Sequence, residues 1–180
     1  MDQDRSRYHT ILMFGAPGSG KGTQGRILGD LPGFFHLSCG EVFRALDAKS
    51  ELGQTFIRYS TEGKLVPDEV TVELWSAHIH RLVDTGGFRP EEEVLVLDGI
   101  PDQDKLVERM RRRALHENRL DDLNESVIRA RFEEYEKETV AVLDHYGHDR
   151  IRHVDASRSP IEVLSDVIGV VRFASVEVAV

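Results

Sequence analysis

A single cysteine, Cys39, stands in a chain of 180 residues. That excludes an internal disulfide framework and a cysteine-built zinc centre, and it suits a reducing cytoplasm. Positive charge is also in short supply, with 23 Lys and Arg against 32 Asp and Glu, for a formal charge of −9. A general nucleic-acid binder needs a net basic face, so that class is set aside, although a local group of cations could still hold a nucleotide. No apolar run approaches the ~20 residues of a membrane helix. The start, Met1 to Tyr8, is too polar to read as a signal peptide. Internal repeats and low-complexity segments are lacking too. What is left, 40% hydrophobic and 31% charged, describes an ordinary soluble protein of one domain with room for a core.

Against that background one stretch stands out. Ile11-Leu-Met-Phe14 is a short apolar run without alternation, the pattern of a parallel strand buried on both faces. It leads into Gly15-Ala16-Pro17-Gly18-Ser19-Gly20-Lys21-Gly22-Thr23. The glycines let the backbone turn inward and aim successive N–H groups at one point, Lys21 adds a mobile charge, and the following helix adds its dipole. The guest such a nest accepts is a polyphosphate. The spacing Gly15-x4-Gly20-Lys21 is that of a P-loop, with Gly22 where the strict pattern has Ser or Thr, so Thr23 is left to offer a hydroxyl to Mg²⁺.

The rest of the chain alternates strands and helices. Apolar runs at Phe34–Leu37, Val94–Leu97 and Ile151–Val154 predict further strands. Helices are expected over 21–30, 41–44, 51–62, 66–85, 102–115 and 125–146, and from Pro160 toward Arg172. Ser159-Pro160-Ile161-Glu162 supplies the last with a cap, a first-turn proline and an acid. Asp98 closes the third strand, where open parallel sheets bind their ligands, and is read as a holder of hydrated Mg²⁺ rather than as a plain Asp-Gly turn. Arg109, Arg111, Arg112 and Arg113 form one basic cluster, and Arg119, Arg129 and Arg131 a second beyond Asp121-Asp122. Most of these charges are expected on solvated helix faces. A few are expected to face a moving phosphoryl group, whose equatorial oxygens suit arginine forks.

Together these residues resemble the adenylate kinase family of nucleoside monophosphate kinases, over about residues 11 to 156. Gly15 to Gln24 is similar to that family's own form of the P-loop, which accounts for Gly22. His36 to Ala45 is similar to the opening of its monophosphate-binding subdomain, and Gly63-Lys-Leu-Val-Pro-Asp68 to its close. Arg119-Leu-Asp-Asp122, then Arg131 and Glu134-Tyr135, resemble its short, metal-free lid.

The resemblance implies a three-layer P-loop α/β fold forming one kinase domain over 1–180, with a monophosphate-binding subdomain about 38–68 and a short lid about 113–124. It implies transfer of the γ-phosphoryl of ATP to AMP, giving two ADP, in a cytoplasmic monomer with no nucleic-acid or membrane partner. Gly15 to Thr23 would hold the ATP phosphates, with Thr23 and Asp98 serving Mg²⁺. Arg109 would stack on the ATP adenine. Ser38, Cys39, Arg44, Gly63, Leu65 and Val66 would bind the monophosphate. Lys21, Arg113, Arg119 and Arg131 would act on the moving group.

Three departures qualify the match. Cys39 stands where the family has threonine near the monophosphate base, and Glu41 where it has aspartate. More seriously, Gly99-Ile-Pro101 passes straight into Asp102-Gln103-Asp104, as if the helix and second strand of a βαβ unit, at least ~20 residues, were absent. Asp102 occupies the place of a monophosphate-binding arginine. A sheet of four strands where the family has five is therefore expected, with exposed apolar neighbours. Two readings follow: a nucleoside monophosphate kinase, or an ATP-binding module with an impaired acceptor site. The chain is either naturally compact or a shortened version of a longer protein.

Overall fold

The computed structural model describes residues 10–32, 34–84, 92–98, 103–117, 122–146 and 151–176. Strand β1 (Thr10–Phe14) runs through the glycine-rich loop into α1 (Lys21–Gly29). Three helices follow: α2 (Cys39–Arg44), α3 (Glu51–Thr61) and α4 (Asp68–Asp84). Strand β2 (Glu92–Asp98) leads to α5 (Gln103–Glu117) and then α6 (Glu125–Glu134). A π-helical turn (Tyr135–Thr139) joins α6 to α7 (Val140–Leu143), and β3 (Ile151–Asp155) and α8 (Pro160–Val176) complete the order. The P-loop α/β alternation is as expected.

The described strands form one parallel sheet in the order β1-β2-β3. Leu12 pairs with Val94 and Phe14 with Val96, while Val96 pairs with His153 and Asp98 with Asp155. Parallel neighbours need crossovers, which α1 to α4 and α5 to α7 provide. All strand ends therefore point the same way, and the loop after β1 sits beside the ends of β2 and β3.

Two expectations about the sheet change. The apolar run of β1 predicts burial on both faces, yet all five residues are only half-buried. The reason is positional: β1 is an edge of the described sheet, with β2 on one side. Phe34–Leu37, expected as a fourth strand, forms no ladder among the described residues. It lies instead against α1, where His36 fills a groove left by two glycines. A Cβ at Gly25 would come 2.6 Å from His36 Cδ2, and one at Gly29 2.6 Å from His36 Cβ. Phe34 and Phe35 of this segment are exposed, and Ile27 and Leu31 of the α1 end are exposed as well.

The core is divided. Ile11 and Met13, on one face of β1, pack with Leu28, Val154, Ala156, Val163 and Val167, tying α1 and α8 to the sheet. The second cluster joins Leu106, Val107 and Met110 of α5 to Ile128 and Phe132 of α6, and reaches Ala16 in the loop. Helix α5, charged on its outer face, thus keeps one buried stripe directly behind the glycine-rich loop.

Helix starts follow their local chemistry. Ser50 Oγ accepts from the Gly53 amide at 3.0 Å, and Asn124 Oδ1 from the Ser126 amide at 3.0 Å. Before α8, Glu162 Oε2 accepts from the Ser159 amide at 3.0 Å and from its hydroxyl at 2.5 Å, the carboxylate half of a capping box. The helix expected over 125–146 is broken by its π-helical turn, and α8 runs past Arg172 to Val176. Among the described residues no helix is long and apolar enough to cross a membrane.

Candidate active site

The loop after β1 is a cradle built from left-handed glycines. Gly18 and Gly20 have φ of 80° and 102°. At Gly20 a Cβ would meet nothing within 4 Å, so glycine is needed there for the backbone conformation alone. At Gly18 a Cβ would also approach the Leu106 carbonyl oxygen at 3.1 Å, so the loop rests directly on α5. Ser19 is buried, and its hydroxyl has no partner. A buried, unpaired hydroxyl is the kind of group that a bound ion or ligand satisfies. The residues present fit a polyphosphate.

Lys21 folds back over this cradle, its ammonium donating to the Gly15 and Ala16 carbonyls at 2.5 and 3.0 Å. Burial pushes its pKa down to about 8, with repulsion from Arg113 and Arg131 adding to the effect. Three cations are therefore gathered at one place, from α1, α5 and α6.

The two arginines are held there by Asp122, a residue with no exposed surface. Its Oδ2 accepts from Arg113 Nε at 2.9 Å and from Arg113 Nη2, and its Oδ1 accepts from Arg131 Nη1 at 2.5 Å. In the sequence Asp122 separates two basic clusters and closes the Arg119-Leu-Asp-Asp122 stretch that resembles the lid, with no role of its own. A signal was present, since Asp122 is nine residues from each arginine. Only the fold turns that symmetry into a shared carboxylate. The other arginines divide as expected for solvated faces: Arg111 pairs with Glu125, Arg112 with Glu108, and Arg129 with Glu125 and Asp104.

Arg109, half-buried on α5, donates to the Ala156 carbonyl at 3.1 Å and so bridges to the loop after β3. Thr23 is exposed on the first turn of α1. Asp98 ends β2 in register with Asp155. Arg119 and Asp102 lie outside the described residues.

The residues expected to bind the acceptor are brought together only in part. Ser38 precedes α2, Cys39 is exposed at its head, and the Arg44 guanidinium folds back over Gly40, where a Cβ would meet its Nη2 at 2.8 Å. Gly63, Leu65 and Val66 are carried by the turn between α3 and α4, and that turn rests on α6.

The family model for adenylate kinase matches residues 13–151. The chain belongs to the adenylate kinase family. The adenylate kinase of Porphyromonas gingivalis is 35% identical over 177 positions, covering 86% of this chain and 91% of the relative. That of Corynebacterium urealyticum is 35% identical over 178 positions, covering 87% and 94%. That of Cyanothece sp. is 34% identical over 182, covering 87% and 92%. This adenylate kinase family member is a phosphotransferase of the nucleoside monophosphate kinase type. The coverage carries a second result. Alignments as long as 177 positions take in only 86% of a 180-residue chain, so roughly 20 positions of the relative lack a counterpart, about one crossover helix and strand.

Proposed function

We propose that this chain transfers the γ-phosphoryl of ATP to AMP, giving two molecules of ADP. The observation that carries this reading is the pair Arg113 and Arg131 on buried Asp122, close enough to Lys21 to repel its charge, beside a glycine loop with an unpaired hydroxyl. Phosphoryl transfer needs little covalent help from a protein, and positioning and positive charge supply most of the catalysis.

The amides of Gly15 to Gly22 and the Ser19 hydroxyl hold the donor phosphates, and Lys21 exchanges its two carbonyl partners for phosphate oxygens. Arg113 and Arg131, with Arg119, direct their positive charge to the equatorial oxygens as negative charge builds there. Arg109 stacks on the donor adenine beside Ala156. Arg44 and Ser38 take the acceptor phosphate, and Cys39, Gly63, Leu65 and Val66 line its base. Mg²⁺, when bound, draws charge from the donor phosphates, and Thr23 and Asp98, the latter through water, would hold it. The lid, about 113–124, and the monophosphate-binding subdomain, about 38–68, close on the single domain of 1–180 to exclude water. The setting is a cytoplasmic monomer with no nucleic-acid partner.

A coupled assay with ATP, Mg²⁺ and each nucleoside monophosphate in turn tests the reading. ADP formed from AMP at the highest kcat/KM supports it, and no diphosphate from any acceptor overturns it. The alternative, an ATP-binding module with an impaired acceptor site, is favoured by the roughly 20 absent positions, about a βαβ helix and strand, and by Asp102 in place of an arginine. Calorimetry separates the two, since the alternative binds ATP but no monophosphate.

A further inference from the structure

One stripe of α6 carries both an arginine of the cation cluster and the support of the acceptor turn. Val127, Ala130, Arg131 and Glu134 recur at helical spacing along it. Gly63, at φ 75°, lies so near this stripe that a Cβ would come 2.6 Å from the Val127 carbonyl oxygen, 3.0 Å from Ala130 Cβ and 3.2 Å from Arg131 Cγ. Two residues later the Leu65 amide donates to Glu134 Oε1 at 3.4 Å. The turn is thus held at two points, by close backbone contact at Gly63 and by a carboxylate at Leu65. Between those points on the helix, the Arg131 side chain passes Gly63 and ends on Asp122.

We propose that Glu134 is a positioning residue that clasps the acceptor turn to the arginine helix, so that filling the acceptor site and setting Arg131 are linked. The proposal rests on the reading of Gly63, Leu65 and Val66 as the wall of the monophosphate base. A base settling against Leu65 and Val66 pushes on the turn. The turn cannot slide along α6 without breaking the amide–carboxylate contact or driving Gly63 into the Val127 carbonyl. The push therefore reaches the segment of α6 that bears Arg131. Glu134 has the wrong charge to touch a phosphate, but a carboxylate is a strong acceptor for a backbone N–H.

Glu134→Ala removes the acceptor and Glu134→Gln keeps one, so the pair isolates the clasp. In steady-state kinetics with ATP and AMP, Glu134→Ala is expected to raise the AMP KM about tenfold and lower kcat severalfold, with the ATP KM unchanged. Glu134→Gln should stay within about twofold of the parent on all three. An unchanged AMP KM in Glu134→Ala overturns the proposal. So does equal damage in both variants, which would assign the effect to charge, or a parallel rise in ATP KM, which would indicate general loosening. If the parent transfers to no monophosphate, the functional reading fails separately. The clasp is then judged by amide hydrogen exchange at Leu65: faster exchange in Glu134→Ala than in Glu134→Gln upholds it, and equal rates overturn it.

Discussion

Arg131 places Nη1 2.5 Å from Oδ1 of Asp122, a carboxylate with no exposed surface, although about a quarter of the arginine side chain remains open. One end of the guanidinium is thus anchored in the interior, on an arginine whose charge is felt by Lys21. Arg113 is held by the other oxygen of the same carboxylate. The pairing offsets the cost of burying Asp122 and, in the same contact, sets the direction of two cations.

Asp122→Asn should therefore affect both stability and turnover. Removing the charge leaves two guanidiniums facing one neutral amide, and breaking a buried pair costs about 3 kcal/mol, less here because both arginines are partly solvated. Urea denaturation should show a lower midpoint. The kcat should fall by more than the folded fraction explains. A normal midpoint with a normal kcat would mean that Asp122 anchors nothing.

Lys21 offers a test in pH. Its pKa drops from 10.5 in the unfolded chain to about 8 on folding, through burial first and then repulsion by Arg113 and Arg131. Between those two values the unfolded chain binds more protons, so this residue makes stability rise with pH across that window. Unfolding midpoints measured from pH 8 to 10 should climb more steeply in the parent than in Lys21→Met. ATP affinity should move the other way, weakening above about pH 8 as the free ammonium deprotonates, and the variant should lose that dependence. Its turnover should be lower by two or more orders of magnitude, with little loss of fold.

Gly63→Ala combines a left-handed backbone with a clash against the Val127 carbonyl. A loss of about 1–3 kcal/mol is expected, and thermal unfolding would measure it. The matching change at Gly22, where a Cβ would meet nothing within 4 Å, should cost no more than a few tenths of a kcal/mol, since alanine favours a helix.

Arg109→Ala removes the bridge to the Ala156 carbonyl and the surface offered to the donor base. The ATP KM should rise about tenfold while the AMP KM stays level. Arg44→Ala should show the reverse pattern, and equal effects on both nucleotides would erase the division between donor and acceptor sides.

Much of the local structure was legible because its causes are local. The glycine spacing before Lys21 dictates a loop that only glycine backbones can follow, and Ser159-Pro160-Ile161-Glu162 caps α8 through neighbours in sequence. The shape of the loop from Gly15 to Thr23 was therefore readable. Phe34–Leu37 misled because an apolar run states that a segment avoids water, not what covers it. Here His36 found a glycine groove on α1, and among the described residues no strand pairs with this segment.

The chain's order of residues alone determined the glycine loop, the cap of α8 and the family, since each rests on contacts or spacings within a few residues. The edge position of β1, the shared carboxylate of Asp122 and the seat of Gly63 on α6 were decided only by tertiary structure. Each joins groups whose separation in sequence carries no energy until the chain is folded. Asp122 looks like any exposed acid between two basic runs until burial deprives it of water, and only then do its two oxygens require two arginines.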